Sequence, residues 1–413
     1  MEIKRSLYAS LRGHLDKPEI TLLIGPRQAG KTTLLRKLAE GLVQDGQRCF
    51  FFNLDIDIDV QHFTSQQTFV ERVMALAGPQ KAYIFIDEVQ RIENAGLFLK
   101  GIFDRQLDYK WIATGSGSLE LKEKIAESLA GRKRNFFLFP VSLAEFAAYS
   151  WKTELDKVAA LLYTDMTGSD HLLRQYLLHG GYPRVVTAVD GAEKNAVLAE
   201  IFQSYVERDI QILLRLEKSG NFITLLQLLA SRIGKLINFQ DLSNLTNLSV
   251  PTVKNYLWYC EKTFIIESVL PFYTNKGKEL VKTPQYYFTD AGLRNYLLGI
   301  HDIALPSNEF GFLFQQLVFH LLKAKFDQSI AVIRYWRTQN QAEVDFVVQK
   351  GLELLPVEVK SAQMDQPVIT RSLRSFIEIY QPAEAWIINR SLESSVPVGN
   401  TLVRFMRWQS LIV

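Results

Sequence analysis

Cysteine is nearly missing from this chain, with two in 413 residues, Cys49 and Cys260. They lie far apart and match no metal-ligand or redox spacing. That excludes a disulfide scaffold and reads as free buried thiols in a reducing compartment. Long hydrophobic runs are missing too. The most apolar window, Phe310–Leu322, is short and interrupted by Gln315, Gln316 and His320, too polar to span a bilayer. The opening residues, MEIKRSLYASL, are charged and soon interrupted, unlike an export signal. A cytoplasmic protein with no membrane partner is therefore expected. The charges nearly balance, and a net +3 is too small to argue for nucleic acid by itself. No internal repeat or low-complexity tract appears. With 47% hydrophobic and 22% charged residues, the composition is that of a globular protein of roughly two to four domains.

Against these absences stands GPRQAGKT at Gly25–Thr32. It follows an apolar run, Ile20–Ile24, and opens a helical pattern carried by Leu34, Leu35, Leu38, Ala39 and Leu42. A glycine-rich loop between a buried strand and a helix N-terminus is suited to polyphosphate, because its N–H groups and the helix dipole converge there. Gly25, Pro26, Arg27, Gln28, Ala29, Gly30, Lys31, Thr32 and Thr33 are the expected nucleotide-binding residues. Lys31 is expected on the β- and γ-phosphates, and the Thr32 hydroxyl on magnesium. Gly25 and Gly30 allow a close backbone approach that a side chain would block.

A second run, YIFIDEVQ at Tyr83–Gln90, is continuously apolar and ends in two acids, as expected of a buried parallel strand whose carboxyl end faces a ligand. Asp87 is placed to hold magnesium. Glu88 is the candidate base for the attacking water, and its presence favours hydrolysis over binding alone. A third run, Lys110–Ala113, leads into TGSGS. There Thr114 or Ser116 could sense a γ-phosphate, and an ordinary polar turn accounts for the text as well.

Together these residues resemble an AAA-type P-loop ATPase. SLAGR at Ser128–Arg132, FPVSLAEF at Phe139–Phe146, GGYP at Gly180–Pro183 and YVERDI at Tyr205–Ile210 are similar to a prokaryotic ATPase family with a C-terminal domain of unknown function. The resemblance reaches from the first residues to beyond residue 360. It implies an α/β fold of ASCE type, with one strand between the loop strand and the acid strand. Arg132 is the expected arginine finger, acting on a neighbouring subunit, with Arg208 its rival. A solvated basic cluster, Arg132–Lys133–Arg134, is the plain alternative. A homo-oligomer is compatible with this.

Along the chain, residues 1–150 read as the ATPase core, 151–219 as a helical lid, 220–300 as a winged-helix domain and 301–413 as a nuclease-like domain. Asn238–Ile266 carries a helix, a short polar turn and a second helix, with Ser249 as N-cap, Pro251 in the first turn, and Val253, Leu257 and Cys260 inward. Two strand-like runs follow, Phe264–Tyr273 and Gln285–Thr289, around the basic segment NKGKELVK. One reading puts Thr252, Lys254 and Asn255, with Lys276, Lys278 and Lys282, on DNA. The other makes the module a protein-packing surface.

In YWRTQNQAEVDFVVQKGLELLPVEVKSA at Tyr335–Ala362, Asp345 stands in one strand and Glu358 and Lys360 share a face of the next. Two carboxylates can hold a divalent cation, and an adjacent lysine can activate water or neutralise a phosphodiester. The pattern resembles the PD-(D/E)XK nuclease fold, with Asp345 and Glu358 as metal ligands and Lys360 catalytic. The family resemblance implies a glutamate where Gln315 stands, which puts cleavage in doubt. Arg337 would contact phosphate or pair with Glu343. The expected activity is magnesium-dependent ATP hydrolysis coupled to the C-terminal region, acting on DNA. The alternative is a nucleotide-dependent switch that binds a protein partner.

Overall fold

In the N-terminal region successive strand residues point to opposite faces of one parallel sheet, and both faces are apolar. This computed structural model describes residues 2–116, 129–204, 220–273, 283–301, 307–327, 330–338 and 341–412. Arg208, the YVERDI segment, Ser128 and the lysines Lys276, Lys278 and Lys282 lie outside the described residues. The chain forms two compact units. One comprises Met1–Glu145, Tyr182–Thr187 and Trp258–Ile265, and the other comprises the remainder.

The first unit opens with helix α1 (Leu7–Gly13), then β1 (Ile20–Gly25), α2 (Lys31–Gln44) and β2 (Cys49–Asn53). It continues with α3 (Gln66–Ala77), β3 (Ala82–Asp87), α4 (Ala95–Phe103), β4 (Tyr109–Ser116) and β5 (Lys133–Phe137). The sheet order is β2-β3-β4-β1-β5, with every pairing parallel. One strand, β4, thus separates β1 from β3, as the family resemblance implies. Ile20, Leu22, Ile24, Ile84, Ile86 and Trp111 pack toward α3 and α4, where Phe52, Phe63, Phe69 and Phe98 form an aromatic cluster. Leu23, Phe85 and Ile112 pack on the opposite side with Leu34, Leu35 and Leu38 of α2 and Leu11 of α1. Strands β1, β3 and β4 are buried along their whole length, β2 and β5 flank them at the less buried edges, and the carboxyl ends of all five share one side. That side carries the loop after β1 and the acids after β3.

The second unit begins within helix α5 (Leu143–Ser150) and runs through α6 (Leu155–Thr164), α7 (Met166–His179), α8 (Gly191–Ile201) and α9 (Gly220–Ala230). Helix α10 (Phe239–Thr246) and α11 (Val250–Lys262) as far as Leu257 follow; Trp258–Ile265 belong to the first unit, and β6 (Ile266–Val269) and β7 (Gln285–Phe288), paired antiparallel, belong to the second. Asn238 caps α10, its side chain accepting the Gln240 and Asp241 N–H groups. Ser249 accepts the Thr252 N–H at 3.2 Å, and Val253, Leu257 and Cys260 are buried as expected.

After α12 (Ala291–Leu297) come α13 (Ser307–Phe326), β8 (Ala331–Arg337), β9 (Glu343–Lys350) and β10 (Glu353–Val359). Helix α14 (Arg371–Tyr380), β11 (Glu384–Asn389), β12 (Ser394–Val398) and β13 (Thr401–Arg407) complete the chain. The sheet order is β12-β13-β11-β10-β9-β8. Strands β8, β9 and β10 form an antiparallel meander, and α14 then carries the chain across so that β11 lies parallel to β10. Helix α14 is strongly one-sided: Leu373, Phe376 and Ile377 are buried against the sheet core, and Thr370 caps it by accepting the Leu373 N–H.

Candidate functional site

The phosphate-type loop is shaped by what it cannot accommodate. A Cβ on Gly25 would lie 2.0 Å from the Leu138 carbonyl oxygen. Gly30 holds φ +92°, a left-handed conformation natural to glycine. Gln28 also takes a positive φ, 59°. Pro26 and Ala29 are buried, Arg27 and Thr33 are exposed, and Thr32 is half-buried at the start of α2. Lys31 is 5% exposed. Its ammonium donates to the Gly25 carbonyl at 3.1 Å and the Pro26 carbonyl at 2.9 Å. Burial pulls its pKa down to about 8, while the nearby carboxylates of Glu88 and Asp87 pull it up. The loop thus folds around a desolvated cation, held by weak neutral acceptors and lying within electrostatic reach of two acids.

Asp87 ends β3 and is 1% exposed. Its Oδ1 accepts the Thr114 hydroxyl. Thr114 Oγ1 in turn accepts the Glu88 backbone N–H at 3.2 Å. Glu88 stands at φ 59°, off the strand and half-buried. Its carboxylate accepts the side-chain amide of Gln90, and Gln90 Oε1 accepts the Ser116 N–H at 3.2 Å. Thr114 and Ser116 are therefore not part of a turn. They continue β4, in register with Leu23 and Gly25 of β1. The turn reading of these two residues is corrected for a physical reason: β3 supplies backbone partners to β4 only through Ala113, but β1 continues to pair with it through Ser116.

Arg132 sits elsewhere. Its carbonyl accepts the Ile20 N–H, at the amino end of β1, and its guanidinium pairs with Asp104 at 2.7 Å. Gly25 is five residues up the strand from Ile20, about 17 Å at ~3.3 Å per residue. Arg132 therefore does not serve the phosphate loop of its own chain.

Sequence reasoning passed over three participants. Gln90 bridges Glu88 to β4. Arg5 and Glu145 form a buried pair behind the loop, with Arg5 Nη1 on the Ala29 carbonyl at 2.8 Å. Glu145 carried a signal, since Ser142–Glu145 is a capping box: Ser142 Oγ accepts the Glu145 N–H at 3.3 Å and Glu145 accepts the Ser142 N–H at 2.9 Å.

The second unit brings Asp345, Glu358 and Lys360 together, but as a closed network. Asp345 Oδ1 accepts the Gln315 amide at 2.8 Å and Oδ2 accepts the Val359 N–H at 2.7 Å. Glu358 Oε2 accepts the Thr370 hydroxyl at 2.7 Å, and Oε1 pairs with Lys360 at 2.6 Å. Burial pushes Asp345 up to about 7, against the Val359 N–H, which pulls it down. Each of the four carboxylate oxygens has one protein donor, so the two acids are held in a hydrogen-bonded network. Among the described residues no group of three or more His, Cys, Asp or Glu could hold a metal ion. Arg337 pairs with Glu343 at 3.1 Å. Among the described residues no helix is long and apolar enough to cross a membrane.

Residues 17–147 match the AAA domain family. Residues 170–304 and 310–408 match two further families, each described as a domain of unknown function (DUF8612 and DUF4143). The chain is similar to an uncharacterized protein of Mycobacterium tuberculosis, 28% identical over 403 residues, covering 97% of this chain and 82% of the relative. It is also similar to an uncharacterized protein of Haemophilus influenzae, 26% identical over 359 residues and covering 83% of each. AMPPCP-bound DnaA from Aquifex aeolicus aligns over 63% of this chain and 89% of its own, at 13% identity and a TM-score of 0.28. A likeness that distant carries no argument.

Proposed function

We propose that this chain, which carries an AAA-type P-loop domain at residues 17–147, binds magnesium–ATP there and hydrolyses it. One observation carries the reading: a desolvated Lys31 within a glycine-shaped loop, on the sheet edge that also presents Asp87, Glu88 and Thr114. A buried ammonium held by neutral carbonyls gains far more from phosphate oxygens than from its present acceptors. The residues fit a nucleotide. The loop amides and Lys31 hold the phosphates, and the Thr32 hydroxyl and Asp87 carboxylate hold magnesium. Bound magnesium would neutralise charge on the triphosphate.

Glu88 takes the proton from the attacking water as its oxygen bonds to the γ-phosphorus and the bond to the β–γ bridging oxygen breaks, leaving ADP and phosphate. Thr114 fixes both Asp87 and the Glu88 backbone. Ser116, through Gln90, ties the Glu88 carboxylate to the strand between loop and acids. Arg132 is proposed to act only on the site of a second copy, in a homo-oligomer.

We further propose that nucleotide state governs the C-terminal region as a switch, with residues 151–219 as lid, 220–300 as winged helix and 301–413 as a non-cleaving nuclease-like module. The protein donors already on each oxygen of Asp345 and Glu358 support this over DNA cleavage. The helix pair α10–α11, with Thr252, Lys254 and Asn255, remains the proposed DNA contact.

Phosphate release by the wild type, Lys31→Ala and Glu88→Gln tests the ATPase. Both variants should lose turnover, about a hundredfold or more, and Glu88→Gln should still bind ATP. Normal hydrolysis by both variants would defeat the assignment.

A further inference from the structure

We propose that Arg5, upstream of every motif discussed, is a positioning residue for the phosphate loop. Its guanidinium fixes the Ala29–Gly30 peptide so that the Gly30 N–H faces the triphosphate. The inference rests on the ATP reading of that loop.

Arg5 precedes α1 in irregular chain, and its side chain is 9% exposed. Each guanidinium nitrogen has an acceptor. Nη1 donates to the Ala29 carbonyl at 2.8 Å, Nη2 to the Phe139 carbonyl, and Nε to Glu145 Oε2 at 3.1 Å. Glu145 is itself pinned, with Oε1 accepting the Ser6 N–H at 2.7 Å and the Ser6 hydroxyl at 2.9 Å, and Oε2 accepting the Ser142 N–H. Both charges are therefore buried, paired and hydrogen-bonded, a design that tolerates no loss of one partner. A lysine, with one ammonium on a flexible stem, cannot span three acceptors lying in three directions.

The consequence for the loop follows from peptide planarity. The Ala29 carbonyl and the Gly30 N–H are opposite ends of one rigid group, so holding the first aims the second. A Cβ built on Gly30 would stand 3.8 Å from Arg5 Nη1, which places the cation immediately behind the turn. A charge-assisted hydrogen bond on the carbonyl also polarises the peptide and strengthens its N–H as a donor. The aid is the same for bound substrate and transition state, so it belongs in KM rather than kcat.

The test uses the full-length chain as wild type, Arg5→Met (stem kept, fork removed) and Arg5→Lys. Steady-state ATP hydrolysis gives KM and kcat, and melting with and without ATP gives a second reading. Arg5→Met should raise KM about tenfold or more with kcat within about threefold, and Arg5→Lys should raise it about threefold to fivefold. The ATP-induced rise in Tm should shrink in the same order. A folded Arg5→Met variant with wild-type KM overturns the proposal, and so does a loss confined to kcat, the mark of a merely structural staple. Should Arg5→Met fail to fold, Arg5→Lys decides, and a KM within about twofold of wild type overturns it. A wild type that neither binds nor hydrolyses ATP overturns the ATPase reading as well, whereas normal wild-type turnover with unmoved variants overturns this inference alone.

Discussion

The Thr114 hydroxyl donates to the Asp87 carboxylate, and its oxygen accepts the backbone N–H of Glu88. One side chain on β4 thereby aligns Asp87, the last residue of β3, and Glu88, which follows it. Thr114→Val keeps the shape and removes both bonds, leaving a part-buried N–H without its partner, at a cost of about 1–3 kcal/mol. We expect kcat for ATP to fall about tenfold to a hundredfold with KM changed less than about threefold, because ground-state phosphate binding belongs to the loop. Thr114→Ser, which retains the hydroxyl, should recover most of the rate. A Thr114→Val variant with wild-type kcat would remove Thr114 from the mechanism.

At the other end of the sheet, His14 is buried against Phe136, with Nδ1 2.8 Å from the Thr21 hydroxyl and 3.4 Å from Lys110 Nζ. Burial pulls its pKa down to about 4. The charges of Lys110, Arg134 and Lys17 act in the same direction, and Glu19 acts against them. The folded pKa lies below the unfolded value of about 6.5. The neutral ring's stabilising contribution is therefore complete above pH 6.5 and lost as pH falls through 4. His14→Gln should be less stable than wild type by about 1–2 kcal/mol at pH 7.5. That gap should close between pH 6.5 and 4.5 as the wild type loses its advantage. Melting temperatures of both proteins across that range measure the effect, and a constant gap would show that His14 does not titrate as stated.

How much of this was legible beforehand divides by the range of the interaction. The buried strand Ala82–Asp87, the loop Gly25–Thr32 and the capped helix after Ser249 are local patterns, and composition and spacing announce them. The strand order came from family resemblance, since nothing in the spacing of β1, β3 and β4 dictates which strand lies between. The strand identity of Thr114 and Ser116 was obscured because TGSGS has the composition of a turn. Only the neighbouring strands reveal that its first three residues are laddered. Arg5 was silent because its three acceptors are 24, 134 and 140 residues away in sequence. Two of them are backbone carbonyls, which leave no trace in residue identity. Asp345, Glu358 and Lys360 are legible as a set, but the donors that hold the two acids, Gln315, Thr370 and the Val359 N–H, are not.

That network is open to direct experiment. Gln315 donates its amide to Asp345 at 2.8 Å, so the buried carboxylate has a neutral donor where a metal site would need another ligand or an open position. Wild-type protein in the millimolar presence of Mn2+ or Mg2+ should show no cation-dependent rise in Tm traceable to Asp345, and no cleavage of plasmid or linear DNA with or without ATP. Gln315→Glu replaces the donor with a second carboxylate. Two carboxylates brought together out of water repel, and we expect a loss of about 2–3 kcal/mol at pH 8. A divalent cation between them would relieve that repulsion, so Mn2+ should restore part of the lost stability in Gln315→Glu and leave the wild type unmoved. The opposite pattern, a wild-type Tm raised by Mn2+ and a rise abolished by Asp345→Ala, would mean that the network opens to metal. The C-terminal module would then have to be treated as a nuclease under nucleotide control.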